Sequence, residues 1–391
     1  MTLAVQALTS MAMTVPAVLA PIAAADIGVE PARIGLWVGL AFFTAMLIGP
    51  LCGMLLVRYG PVRMFQAAAV CVALGLIAGA LSHPALILAC ALLLGTAHGL
   101  VNPASSTILA KASPPRMRAM IFSIKQTGVP VGSAVAGTLV PALLLWTSWQ
   151  NAVFALALVG AAFIVMVAPF RALYDRERVP GARLRLRGIA APIAEVCADR
   201  PILALAITSG VYSAVQTGFV TYLILYLKLE LGYTLVAAGL IFSAAQVAGV
   251  VGRVFWGAVA DHWVEPHRVL AVLGVIMALC GIAAIFFNAA WPFAAITAVC
   301  MLYGATAVGW NGVYLAEVAR LAPEGRVGIV TGGTQFFTFA GGLVGPPLFG
   351  AIASATGSFS YGFVFIAVLP LVTGLVLLAT GKGARGRRAT Q

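Results

Sequence analysis

The chain has 391 residues, of which 62 % are hydrophobic and 9 % charged, with a formal net charge of +12 and a mean hydropathy of +1.05. No water-soluble globule needs so apolar a surface, so the solvent of this chain is a lipid bilayer. The excess of cations then reports on membrane topology rather than on nucleic-acid binding.

Twelve apolar blocks, each long enough to cross about 30 Å of hydrocarbon, follow one another at 2–24, 34–57, 63–82, 85–110, 119–143, 151–170, 201–227, 234–259, 268–288, 292–319, 327–354 and 360–380. The expected fold is therefore all-α and polytopic. The first block has no basic leading segment and runs directly into the second, so it reads as a span rather than a signal peptide, with the true start either at Met1 or upstream of it. An arginine-rich segment interrupted by Pro180 and Gly181 divides the series. It predicts a six-helix bundle at 1–170, a linker at 171–200, a second six-helix bundle at 201–380 and a basic tail at 381–391.

Basic loops stay cytoplasmic. Placing the linker, the tail and the even-to-odd loops on that side collects nineteen of the twenty-three cations, including Arg58, Arg63, Lys111, Arg116, Arg118, Arg268, Arg320, Arg326 and Lys382. Arg33 and Lys228 fall opposite, and Lys125 and Arg253 remain inside the membrane. Both termini are thus expected in the cytoplasm, with the chain in the cell (inner) membrane. Cys52, Cys71, Cys90, Cys197, Cys280 and Cys300 show no metal or redox spacing and read as apolar filler.

The two halves repeat in parallel order. A shift of 204 pairs Gly28 with Gly232, Gly35 with Gly239 and Gly53 with Gly257, and a shift of 209 pairs Asn102 with Asn311, Gln126 with Gln335 and Gly132 with Gly341. Parallel repeats of this kind rock about a site near the bilayer midplane.

"GMLLVRYGPVR" at 53–63 and "GAVADHW" at 257–263 resemble the two copies of the loop signature G-x-x-x-D-R-x-G-x-x-R of the major facilitator superfamily. The resemblance implies alternating access between two bundles, with the loops latching the cytoplasmic helix ends. The first copy keeps Gly53, Arg58, Gly60 and Arg63 but has Val57 in the aspartate place, and the second keeps Gly257 and Asp261. The charged part of the latch is therefore expected on Asp261. Gly53 and Gly257 are expected to admit close helix contacts, and Gly60 to supply a positive φ in a tight turn. Within the superfamily, "IKQTGVPVG" at 124–132 looks most like the cyanate-permease-type porters, and "GRVFWGAVAD" at 252–261 is similar to the span-eight arginine setting of oxalate and monocarboxylate porters.

No carboxylate falls in a span interior, which leaves His98, Lys125 and Arg253 as the titratable groups at depth. A guanidinium grips a carboxylate bidentately and keeps its charge, so Arg253 is the candidate anchor, against an alternative role satisfying backbone carbonyls. Lys125 either flanks the same anion from the opposite bundle or snorkels to the cytoplasmic surface. Gln126 and its repeat mate Gln335, the i, i+4 pairs His98 and Asn102 and Tyr212 and Gln216, and Trp310 beside Asn311 complete the predicted substrate site.

A cationic interior lacking acids favours an anionic solute. The reading is a secondary active or facilitative transporter of a small anion, carboxylate or cyanate-like, rather than an enzyme, with no cofactor and no metal. Its partners are the solute, the bilayer and a coupling ion, either proton or counter-anion, and the chain is expected to be monomeric. The alternative, a multidrug or metabolite efflux antiporter, would favour cavity acids and a span-five Gly-Pro dipeptide that this sequence lacks. No nucleotide loop of the G-x-x-x-x-G-K-[ST] type is present, so gradients supply the energy.

Overall fold

Hydrocarbon offers no partner to a backbone amide, so each span must satisfy its own N–H and C=O groups as a helix. The computed structural model describes residues 1–114, 118–182, 190–288, 290–323 and 326–380. Arg116, Arg183, Arg185, Arg187, and the tail 381–391 with Lys382, Arg385, Arg387 and Arg388, lie outside the described residues.

The first bundle contains α1 (Thr2–Ile27), α2 (Ile34–Tyr59), α3 (Pro61–Ala80), α4 (Pro84–Ala112), α5 (Arg118–Gln126), α6 (Gly128–Leu143) and α7 (Trp149–Met166). Short helices α8 (Arg171–Tyr174) and α9 (Ala191–Ala198) follow. The second bundle contains α10 (Arg200–Leu229), α11 (Leu235–His262), α12 (Pro266–Ile285), α13 (Phe293–Ala307), α14 (Asn311–Leu321), α15 (Val327–Thr356) and α16 (Phe359–Thr380). Eleven of the described spans are long and apolar enough to cross a membrane as they stand. The twelfth is the fifth block, which divides into α5 and α6 at Thr127. The tenth block is likewise interrupted, between Ala307 and Asn311. The result is an all-α fold of twelve spans in two six-helix bundles.

Repeat-related glycines do equivalent work in the two bundles. A Cβ on Gly132 would stand 2.1 Å from Ala7 O, and one on its mate Gly341 would stand 1.9 Å from Gly210 O. These contacts seat α6 on α1 and α15 on α10, and any larger residue would push the helices apart. Gly35 and Gly239 are also mates, but they act between bundles. A Cβ on Gly35 would meet Pro346 O of α15 at 2.2 Å, and one on Gly239 would meet Gly137 O of α6 at 2.1 Å.

The bundles therefore meet along α2 with α15 and α6 with α11, at the helix ends remote from the linker. The Tyr222 hydroxyl lies 2.7 Å from Ala32 O and 3.0 Å from Pro346 O, and Ser243 Oγ donates to Ala134 O at 2.8 Å. Nearer the linker, Arg253 of α11 reaches the carbonyl of Gln126 on α5.

The loop between α2 and α3 departs from the sequence expectation. Gly60 has φ +90° as its turn requires, but nothing lies within 4 Å of a Cβ at Gly53 or Gly257. Those two glycines do not mark close helix contacts. Asp261 is exposed and has no ionic partner among the described residues. The carboxylate at the first loop comes instead from Asp175, at the end of α8: its Oδ1 accepts from Val62 N at 2.8 Å and its Oδ2 from Arg63 N at 3.3 Å. Gly60 offers no side chain to cap α3, so a buried acid distant in sequence does it, where the helix dipole also favours negative charge.

Asp175→Ala should lower stability by about 1 kcal/mol, read as a lower midpoint in detergent thermal unfolding; an unchanged midpoint would contradict the capping role. Gly239→Leu should cost about 1–3 kcal/mol by overpacking and part the bundles at that end. A cysteine introduced at Ala134 should then become accessible to a membrane-impermeant thiol reagent, and continued protection would refute the contact.

Candidate functional site

Two helix interruptions place unpaired backbone carbonyls inside the membrane, and Arg253 joins them. Its Nε donates to Val308 O, just past α13, at 2.9 Å, and its Nη1 donates to Gln126 O, the last residue of α5, at 2.6 Å. Helix C-terminal ends carry roughly half a negative charge each, so the guanidinium is partly compensated without any carboxylate. Gly252 makes this reach feasible, because its missing Cβ would stand 2.1 Å from Ala305 O. The carbonyl-binding role weighed for Arg253 is thus present, yet it uses only Nε and Nη1. The Nη2 group remains, and Arg253 lines a cavity of about 140 Å³ between the bundles.

His98, Asn102 and Gln126 from the first bundle line the same cavity, as do Gln216, Trp310, Asn311 and Gln335 from the second. Lys125 and Tyr212 do not. Lys125 is 4 % exposed and its Nζ donates to Asn102 Oδ1 and, at 3.2 Å, to Gln126 Oε1. It neither snorkels to the surface nor forms part of the cavity wall, so the arrangement of two cations flanking one anion is not what these side chains make. The Tyr212 hydroxyl donates away from the cavity to Leu270 O at 2.5 Å, and its ring packs edge-on against Trp310 at 5.8 Å.

The amides are oriented by what they touch. An ammonium has only donors, so Lys125 draws the oxygens of Asn102 and Gln126, and neither NH₂ group has a hydrogen-bond partner among the described residues. The second bundle repeats the device with neutral donors: Trp310 Nε1 and Asn311 Nδ2 both donate to Gln216 Oε1, at 3.0 and 3.3 Å. The Gln216 NH₂ is thereby left for the cavity. His98 packs between Phe42 and Phe339, with ring centroids at 5.8 and 6.2 Å.

Sequence reading missed several lining residues. Ser10, Thr14 and Ser133 form a hydroxyl cluster, with Thr14 Oγ1 and Ser133 Oγ 2.9 Å apart and Ser10 Oγ donating to Val129 O at 2.9 Å. The i, i+4 spacing of Ser10 and Thr14 was the available signal. Gln246, 1 % exposed, was also missed, although it stands two helical turns before Arg253 and so shares its face. Among the described residues the buried acids, Asp175 and Glu317, lie outside the cavity wall, and Glu317 is paired with Arg320 through contacts of 2.6 and 2.5 Å.

A larger cavity of about 360 Å³ lies within the first bundle, lined mainly by apolar side chains such as Leu19, Trp37 and Val153. Its charged residues Glu30 and Arg33 face each other at 3.7 Å. The smaller cavity between the bundles concentrates the polar chemistry.

The family model of the Major Facilitator Superfamily matches residues 2–346. The chain is 22 % identical over 309 residues to a hexuronate transporter of Bacillus subtilis, covering 76 % of this chain and 73 % of that one. It is 26 % identical over 340 residues to monocarboxylate transporter 13 of Rattus norvegicus, covering 85 % and 74 %. Among solved structures it resembles a bacterial homologue of the human lysosomal transporter Spinster, with TM-score 0.75, 15 % identity and coverage of 97 % and 95 %. A multi-pass chain of twelve spans, duplicated about a polar central cavity and matched by the family over most of its length, belongs to the Major Facilitator Superfamily and is a membrane transporter.

Proposed function

We propose that this transporter carries a small carboxylate and that Arg253 anchors it. The observation that carries the reading is electrostatic: among the described residues lining the central cavity, Arg253 is the one lysine or arginine, and no aspartate or glutamate lines it. A solute carboxylate meets the free Nη2 group in a setting that excludes most water, where a charge-assisted hydrogen bond is strong. The names of two relatives, a hexuronate and a monocarboxylate transporter, support the same class.

The guanidinium also couples occupancy to conformation in this reading. Its bond to Gln126 O crosses from the second bundle to the first, so a carboxylate that competes for Nη1 loosens a cross-bundle tie. The bundles, taken as 1–170 and 201–380, then rock about the site and exchange the contacts at one end for contacts at the other. The linker and both termini face the cytoplasm in this scheme, because that side collects the cations. The absence of a carboxylate from the described cavity wall favours exchange or facilitated flux over a proton relay through an acid.

Counterflow in proteoliposomes tests the assignment. Arg253→Gln should reduce carboxylate flux at least about thirtyfold while the protein remains folded by thermal unfolding. Undiminished flux would overturn the anchor. Lys125 is assigned a positioning role through Asn102 and Gln126, so Lys125→Met should raise KM about tenfold with kcat little changed. A fall in kcat at constant KM would argue against it.

A further inference from the structure

The polar inventory of the central cavity narrows the solute further, and this step rests on the carboxylate reading of Arg253. Four groups with no hydrogen-bond partner among the described residues present N–H donors there: Arg253 Nη2 and the NH₂ groups of Asn102, Gln126 and Gln216. One donor group is charged and three are neutral. Two donor groups belong to each bundle. Their orientation is enforced, because Lys125 and the Trp310 and Asn311 N–H groups occupy the amide oxygens. Gln246, on the Arg253 face of α11, also lines the cavity, and its amide nitrogen is buried with no hydrogen-bond partner among the described residues.

A monocarboxylate with an apolar tail satisfies Arg253 and leaves the neutral donors stripped of water and unpaired, which is costly for each. A dicarboxylate brings a second charge for which the described wall holds no second cation. A three-atom anion is too small: a cavity of about 140 Å³ has room for roughly ten water-sized positions at 10–15 Å³ each. We infer that the cavity is built for a singly charged, polyhydroxylated carboxylate, its carboxylate on Arg253 and its hydroxyl oxygens accepting from Asn102, Gln126 and Gln216. Hydroxyls also donate, and the Asn311 oxygen and the Thr14 and Ser133 hydroxyls supply acceptors.

Titration calorimetry on the purified full chain tests this with matched solutes. D-Gluconate and D-galactonate are compared with hexanoate, glycerate with propanoate, and D-gluconate with D-glucarate. At least one hydroxylated monoanion should bind about tenfold or more tightly than its deoxy partner, and more tightly than the dicarboxylate. In Gln216→Leu and Asn102→Leu that preference should shrink to within about twofold, with hexanoate binding retained as the control for folding. Carboxylate binding with no preference for hydroxylated members in the wild-type protein overturns this inference and leaves the carboxylate reading intact. Failure of every carboxylate to bind overturns both.

Discussion

A permanent positive charge in a hydrocarbon setting without a carboxylate beside it governs much of this molecule. Isolated, Arg253 would be expensive to bury. The chain meets the cost by interrupting two spans and presenting the C-terminal carbonyls of α5 and α13 to one guanidinium. The interruptions are tolerated for the same reason, since each break frees carbonyls that only a donor can satisfy in the absence of water. Break and arginine stabilise each other. Because the two breaks lie on different bundles, their common partner sits at the bundle interface, where the cavity also lies.

The second constraint is the donor–acceptor asymmetry of the amide group. Asparagine and glutamine each present one acceptor and one donor end, and a neighbour that can only donate decides which end is left over. Lys125 makes that choice for Asn102 and Gln126, while Trp310 and Asn311 make it for Gln216. A cation outside the cavity wall thus sets which ends of two lining amides are left unbonded. Its repeat counterpart under the shift of 209, Thr334, is also buried but bonds to Thr331 O within its own helix, so the two halves differ in hydrogen bonding at this position.

Much of the architecture was legible in the sequence because burial in lipid imposes long apolar runs and because the duplication repeats its glycines. Gly132 with Gly341 and Gly35 with Gly239 were paired by register alone, and each pair proves to make equivalent helix contacts. The polar lining was legible in part, since amides and a histidine at depth are conspicuous among apolar residues. What could not be read were relations set by tertiary contact. The end of α5 was legible in part, since Gly128 and Pro130 read as a hinge and Pro130 has no N–H for the carbonyl of Gln126 four residues earlier, but the arginine that takes that carbonyl was not. Asp175 replaces the missing loop aspartate from more than a hundred residues away, and no local pattern announces it. Lys125 invited a ligand role because its charge was visible and its amide partners were not.

The most direct measurement is a structure of the protein determined with a carboxylate solute bound at saturation. A carboxylate oxygen within hydrogen-bonding distance of Arg253 Nη2, with the Asn102, Gln126 and Gln216 nitrogens turned toward the solute, is the predicted result. A solute seated elsewhere, with Arg253 still engaged solely by Val308 O and Gln126 O, would contradict it.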